Sequence, residues 1–184
     1  MIDFPNHTLE SAPVEVRPVL EAQRRKYGMI PNLYAKMAEA PALLQSYLDV
    51  AQRFARSGLD PVQQQVVLLT VSRVNRCGYC VGVHSVLADM GGVPAAVTNA
   101  IRNDTPIPDV KLEALRQFTA RVVEARGWVN EADVLTFLQT GYSRANVLDV
   151  IVGVGLKTLS NYTNHIVGTE LDAAFAGRAW QAPV

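Results

Sequence analysis

Asn75-Arg76-Cys77-Gly78-Tyr79-Cys80-Val81-Gly82-Val83-His84 holds both cysteines of this chain and one of its three histidines. The cysteines are spaced Cys-x-x-Cys, and His84 follows the second by four residues. On a helix, residues three, four and seven apart are neighbours, so Cys77, Cys80 and His84 share a face. Two thiols one turn apart at a helix start close a disulfide without moving the backbone. A thiol with an imidazole one turn further on is a nucleophile beside a base. The stretch predicts a helix that carries redox or peroxide chemistry.

Cysteine reacts as thiolate, and a free thiol titrates near 8.5. Three features are expected to lower that value here. Backbone N–H groups at the start of the Tyr79 helix point toward the thiols, His84 is placed to accept a proton from Cys80, and Arg76 adds charge next to Cys77. A peroxide attacked by Cys80 leaves a sulfenic acid. Cys77 then condenses with it and releases water, and an outside dithiol resets the disulfide. Two other readings stand beside this one. Free cysteine is often simply buried and inert. Alternatively, Cys77, Cys80 and His84 supply three zinc ligands, as in an open catalytic site. A fourth ligand is then needed. His165 is the interior candidate, and His7 lies in a loosely ordered start.

Outward from the motif, both flanks read as helices. Upstream, Asp60-Pro61 with Gln63 at the third helical position is a strong start signal for Val62–Val74. Asn75 to Gly78 is a break, Tyr79–Met90 carries the motif, and Gly91-Gly92 stops it. Further upstream, Val19–Tyr27 is a helix limited by Pro13 and Pro18 and ended by Gly28. Asn32–Glu39 is a short helix. Pro41 opens another, in which Leu43, Leu44, Tyr47, Leu48, Ala51 and Phe54 recur at helical spacing up to Gly58. Downstream come Pro94–Ile101, a proline-containing loop at Asn103–Asp109 fit to be a linker or lid, and Val110–Arg126. Asn130 caps Glu131–Thr140. Ser143 caps a long helix through Ile166, with Val147, Leu148, Ile151, Val152, Leu159 and Tyr162 expected inside. No stretch alternates with a period of two. The prediction is an all-α fold of about nine helices, with residues 1–184 as a single domain.

With 184 residues the chain is long enough to bury a real core. Its formal net charge is zero and its pI is near 6.8, which argues against a nucleic-acid partner. Charged residues make up 18% of the chain, below the roughly 25% of an average soluble protein. So few charges suggest that part of the surface is covered in a homo-oligomer. Met1–Glu10 has neither a basic n-region nor an apolar h-region, and Val147–Leu156 is too short and too interrupted to cross a membrane. A Cys-x-x-Cys pair in such a chain is expected in the cytoplasm, where it is catalytic or metal-binding rather than a structural staple.

These residues resemble the alkylhydroperoxidase D-like family within the carboxymuconolactone decarboxylase superfamily. The likeness runs through Leu59–His84: the Asp-Pro helix start, Val71-Ser72-Arg73-Val74-Asn75, and Cys77-x-x-Cys80-x-x-x-His84. Asn161-Tyr162-Thr163-Asn164-His165 looks like the later part of the peroxidase-related branch. The resemblance implies an all-helical domain assembling into trimers or hexamers. It implies a thiol-dependent peroxidase with Cys80 as sulfenic-acid former, Cys77 as proton donor and resolving thiol, and His84 in a proton relay. The substrate would be a peroxide, the reductant a lipoylated or thioredoxin-like protein, and no metal or flavin cofactor would be needed. Where the family has a glutamate twelve residues before the first cysteine, this chain has Gln65. A straight helix would hold Gln65 about 18 Å from Cys77, but the break at Asn75–Gly78 lets the two helices fold back and set Gln65 beside His84. Glutamine orients a histidine or water but carries no proton. Tyr79 is expected to be a packing aromatic and His165 a satisfied core histidine. The alternative functions are a redox-sensing or disulfide-exchange protein without turnover, and a decarboxylase-like enzyme of the superfamily.

Overall fold

The run Val66-Val67-Leu68-Leu69-Thr70-Val71-Ser72 is buried from end to end, which makes its helix the centre of the molecule. This helix is α4, Pro61–Val74, in a computed structural model that describes residues 2–183. Asp60 caps it by accepting from the Gln63 amide at 2.9 Å, while the Gln63 side chain returns a bond to the Asp60 N–H at 3.0 Å. Together they satisfy two of the amides that a helix start leaves orphaned.

Before α4 come α1 (Arg17–Tyr27), α2 (Asn32–Met37) and α3 (Pro41–Phe54). After it come α5 (Gly78–Met90), α6 (Ala95–Asn103), α7 (Val110–Glu124), α8 (Glu131–Gln139) and α9 (Arg144–Val167). Short 3-10 turns lie at Val14–Val16 and Ala173–Arg178. Among the described residues there are nine α-helices and no strand, as the periodicity predicts. α4 packs against α5, α6, α7 and α9, and α9 also packs on α3. At that crossing a Cβ on Gly153 would stand 2.6 Å from Val67 and 2.9 Å from Phe54, so only glycine lets the three helices approach.

Several expectations need correction. α7 ends at Glu124 rather than Arg126, because Arg126 and Gly127 both take positive φ and turn the chain. The Asn103–Asp109 loop is fastened rather than lid-like. Asp104 pairs with Arg73 at 2.9 Å and Arg116 at 3.3 Å, the Ile107 amide donates to Glu113 at 2.8 Å, and Ile107 itself is buried. His7 is not loose: its Nε2 lies 2.7 Å from Glu39.

The largest correction concerns α9. Leu148, Ile151, Val152 and Tyr162, expected inside, are exposed, together with Ile166. Beside Val150 and Leu156, the buried face carries Lys157, Ser160, Asn161 and Asn164. Their spacing of three, four and seven residues puts them on one stripe. That stripe faces α5, so the rotation of α9 sets the chemistry of the motif.

Candidate active site

α4 ends at Val74, and Arg76 takes a left-handed φ of 58°, a conformation uncommon outside glycine. The turn is held by the Cys77 amide donating to Ser72 O at 2.9 Å. It sends α5 back along α4. Cys77 becomes the residue that caps α5, and Cys80 lies one turn inside it. The helix reading of the motif and the break before it are both found.

Both thiols are free and buried. Asn164, 84 residues away from Cys80, donates from Nδ2 to its Sγ at 3.2 Å and to Cys77 Sγ at 3.6 Å. Ser160 Oγ lies 3.8 Å from Cys80 Sγ. Asn161, from the same face of α9, accepts from Asn75 Nδ2 at 3.0 Å. Burial alone would raise the Cys80 thiol. The hydrogen bond with Cys77, the positive charge of Lys157 and the hydrogen bonds with Lys157 and Ser160 overcome it and hold Cys80 well below the ordinary cysteine range. Cys77 goes the other way: its bond to Cys80 and its burial push it up. The pair thus loses one proton easily, from Cys80, and keeps the other on Cys77.

Arg76 does not contribute as expected, because its guanidinium turns outward and donates to Pro183 O at 2.6 Å. Lys157 supplies the cation instead. No hydrogen bond joins His84 to Cys80 among the described residues. His84 Nδ1 lies 3.2 Å from Gln65 Oε1, so the neighbourhood of Gln65 and His84 is as the sequence implies. With an amide oxygen opposite it, Nδ1 carries the proton and Nε2 is left as the acceptor. Burial, then the charge of Lys157, push His84 well below its usual range, so the ring is neutral near pH 7.

Tyr79 is more than packing. Its hydroxyl donates to Asp172 Oδ2 at 2.8 Å and accepts from the Leu33 amide at 3.3 Å, tying α5 to α2 and to the segment after α9. His165 is exposed, not a core histidine. The zinc set is not assembled: His84 faces Gln65, and no group of three or more His, Cys, Asp or Glu among the described residues is placed to hold a metal.

Cys80, His84, Gln65 and Lys157 open onto a cavity of about 220 Å³. Its far wall is aromatic and apolar, with Tyr27, Tyr34, Tyr47, Phe54 and Phe175. Sequence reasoning missed Lys157, Ser160 and Asn164 as site residues. The signal was there: three polar residues at helical spacing within one long apolar helix.

A model of the carboxymuconolactone decarboxylase family matches residues 38–131. No functionally curated protein matches the chain. Among solved structures, a peroxidase-related protein from Ralstonia eutropha JMP134 with an alkylhydroperoxidase AhpD core is 21% identical, with a TM-score of 0.85 and 97% of each chain covered. A peroxidase-related protein from Silicibacter sp. TM1040 is 20% identical, with a TM-score of 0.81 over 96% of this chain and 94% of that one. The debrominase Bmp8, solved with 2,3,4-tribromopyrrole, is 14% identical, with a TM-score of 0.79 over 97% of this chain and 96% of that one. The match spans the end of α2 to the start of α8, the helical order is shared, and the chain belongs to the carboxymuconolactone decarboxylase family, with the fold of its alkylhydroperoxidase-like members.

Proposed function

We propose that this protein is a thiol-dependent peroxidase of the alkyl hydroperoxide reductase type, serving antioxidant defence. The observation that carries the reading is Cys80. Its thiol lines a cavity, accepts from Asn164 Nδ2 at 3.2 Å, is pulled well below the ordinary cysteine range by Cys77 and Lys157, and has a second thiol one turn away. In the proposed cycle the Cys80 thiolate attacks the terminal oxygen of a hydroperoxide and the O–O bond breaks. Cys77 gives its proton to the departing alkoxide, leaving an alcohol. The Cys77 thiolate then attacks the Cys80 sulfenic acid. Hydroxide departs, takes a proton from solvent through neutral His84, and leaves as water. Gln65 fixes the His84 ring through Nδ1, and Nε2 is the atom that passes the proton.

An external dithiol, lipoylated or thioredoxin-like, returns the disulfide to the starting state by thiol–disulfide exchange. The proposed setting is the cytoplasm. No helix among the described residues is long and apolar enough to cross a membrane. The proposed assembly is a homo-oligomer, a trimer or hexamer, formed through the exposed apolar face of α9. Contiguous apolar surface of this kind marks contact sites.

The test is consumption of an organic hydroperoxide at the expense of a dithiol. Wild type is expected to turn over, and Cys80→Ser to fall to the rate of dithiol alone. Cys77→Ser is expected to form a sulfenic acid on Cys80, trappable and visible by mass spectrometry, without cycling. Trapping on Cys77 in Cys80→Ser, with activity retained, reverses the roles. A disulfide-exchange protein or a decarboxylase-like enzyme gives no dithiol-dependent consumption at all.

A further inference from the structure

Lys157 is 1% exposed. It forms no ion pair with any carboxylate among the described residues. A buried ammonium without a partner is strongly unfavourable, so something must balance it. The cavity it lines brings Tyr27 from α1, Tyr34 from α2, Tyr47 from α3, and Tyr79, Cys80 and His84 from α5 toward the same space. Tyr34, Tyr47 and Tyr79 are pushed further toward the neutral form, chiefly by burial. His84 is neutral and bonded to Gln65, and Asp172, bonded to Tyr79 and to the Asn32 amide at 2.9 Å, neither lines the cavity nor pairs with Lys157. Cys80 is what remains to carry the negative charge. Asn164 points the same way: its Nδ2 serves both sulfurs while its buried Oδ1 has no partner, so the side chain is held there for its donors.

We infer that Lys157 is the counter-ion of the Cys80 thiolate, and that this pairing makes the Cys77–Cys80 disulfide a strong oxidant that readily passes its disulfide to small thiols. The disulfide is uncharged. When it forms, Lys157 loses its partner and Asn164 loses a charged acceptor. Both penalties fall on the oxidised state alone, and a couple whose reduced form is selectively stabilised is oxidising. Reduction by glutathione balances as disulfide plus two glutathione thiols giving Cys80 thiolate, Cys77 thiol, glutathione disulfide and one proton. The inference rests on the dithiol–disulfide cycling proposed above but not on peroxide reduction.

The experiment equilibrates the whole protein with glutathione redox buffers at pH 6, 7 and 8, with the oxidised fraction read by acid quench and mass spectrometry. For wild type, the equilibrium constant for reduction is expected to rise about tenfold per pH unit, because one proton is released while glutathione stays a thiol. A constant independent of pH overturns the inference, as does failure of the disulfide to form. These wild-type readings stand whether or not any variant folds. Lys157→Met is expected to lower the constant at pH 8 about a hundredfold, or about 60 mV at 29.6 mV per tenfold, and to flatten its pH dependence. Lys157→Arg, which keeps the charge, is expected to restore the slope. A folded Lys157→Met with the wild-type constant and slope overturns the assignment. Peroxide turnover measured in parallel separates the two ideas. An oxidising couple without turnover sinks the peroxidase, and turnover with a constant independent of pH sinks the role of Lys157.

Discussion

The two faces of α9 depart from the usual order of an amphipathic helix, with polar groups among the buried residues and apolar groups among the exposed ones. The inner face presents Ser160 and Asn164 to the two cysteines, Lys157 to Cys80 and Asn161 to Asn75. The outer face presents Leu148 at 64% exposure and Ile166 at 67%, with Ile151, Val152 and Tyr162 between them. α4 buries a run dominated by Val and Leu and follows the common pattern. A buried polar stripe costs free energy unless its groups are satisfied, and an exposed apolar stripe is a liability unless something covers it. The two departures lie on one helix. The inner face is accounted for by the thiol chemistry proposed above, and the outer face by the proposed contact with other chains.

The largest expected break is at Gly153, where the inner face touches α3 and α4. Gly153→Ala forces a methyl group against Val67 and Phe54. Overpacking of this kind costs about 1–3 kcal/mol, and at about 2–4 °C per kcal/mol for a chain of this size the melting temperature should fall by about 2–12 °C. An unchanged melting temperature would mean that α9 does not seat as closely as described.

Gln65→Glu sharpens the account of the inner face by adding a carboxylate to a site whose buried cation lacks one. A glutamate beside His84 favours the charged imidazole and raises its pKa. General acid–base contributions reach about 10²–10⁴-fold. His84 already provides part of this, so peroxide turnover should rise by about tenfold. Lower turnover with a lower melting temperature, followed from pH 6 to 9, would mean that Gln65 only packs.

The pH dependence of stability separates the same groups. Cys80 and His84 both have folded pKa values below their unfolded ones of about 8.5 and 6.5. In those windows the unfolded chain binds more protons, so each contribution is complete above the unfolded value and is lost as pH falls. Cys77 is raised, so its contribution is present below about 8.5 and is lost above it. The reduced protein should therefore melt highest near pH 8.5 and lose stability from there down to 6.5. The disulfide form, with no thiol to titrate, should stay flat across that interval. Parallel slopes in the two forms would place the thiolate elsewhere.

The smallest change in monomer stability is expected on the outer face. Ile151→Glu with Ile166→Glu replaces exposed groups and should shift stability by no more than about 0.5 kcal/mol per site. Light scattering should nevertheless show the mass falling toward the 20.1 kDa of one chain. A wild type that already runs as a monomer at micromolar concentration would break the comparison from that side.

Much of this was legible in advance. Asp60, Asn130 and Ser143 announce their helices through local hydrogen bonds that depend on three or four neighbouring residues. The contact between Gln65 and His84 follows from the helix break, since folding back at Asn75 to Cys77 sets the two helices side by side. The partner of Arg76 was not legible, because it is Pro183 O, far away in the sequence.

The sequence by itself determined the order of the helices and the turn that sets Cys77 and Cys80 at the start of α5. These rest on caps, breakers and spacing, which act within a few residues. Only the tertiary structure decided which way α9 faces. Periodicity reports that a helix has two unlike faces, and the assumption that only the apolar one turns inward fails when the interior holds two thiols that Asn164 and Ser160 can reach. The rotation of α9 brings Asn164 to the sulfurs and buries Lys157 beside Cys80. Long-range packing of α9 on α3 and α4, with Gly153 at the crossing, fixes that rotation.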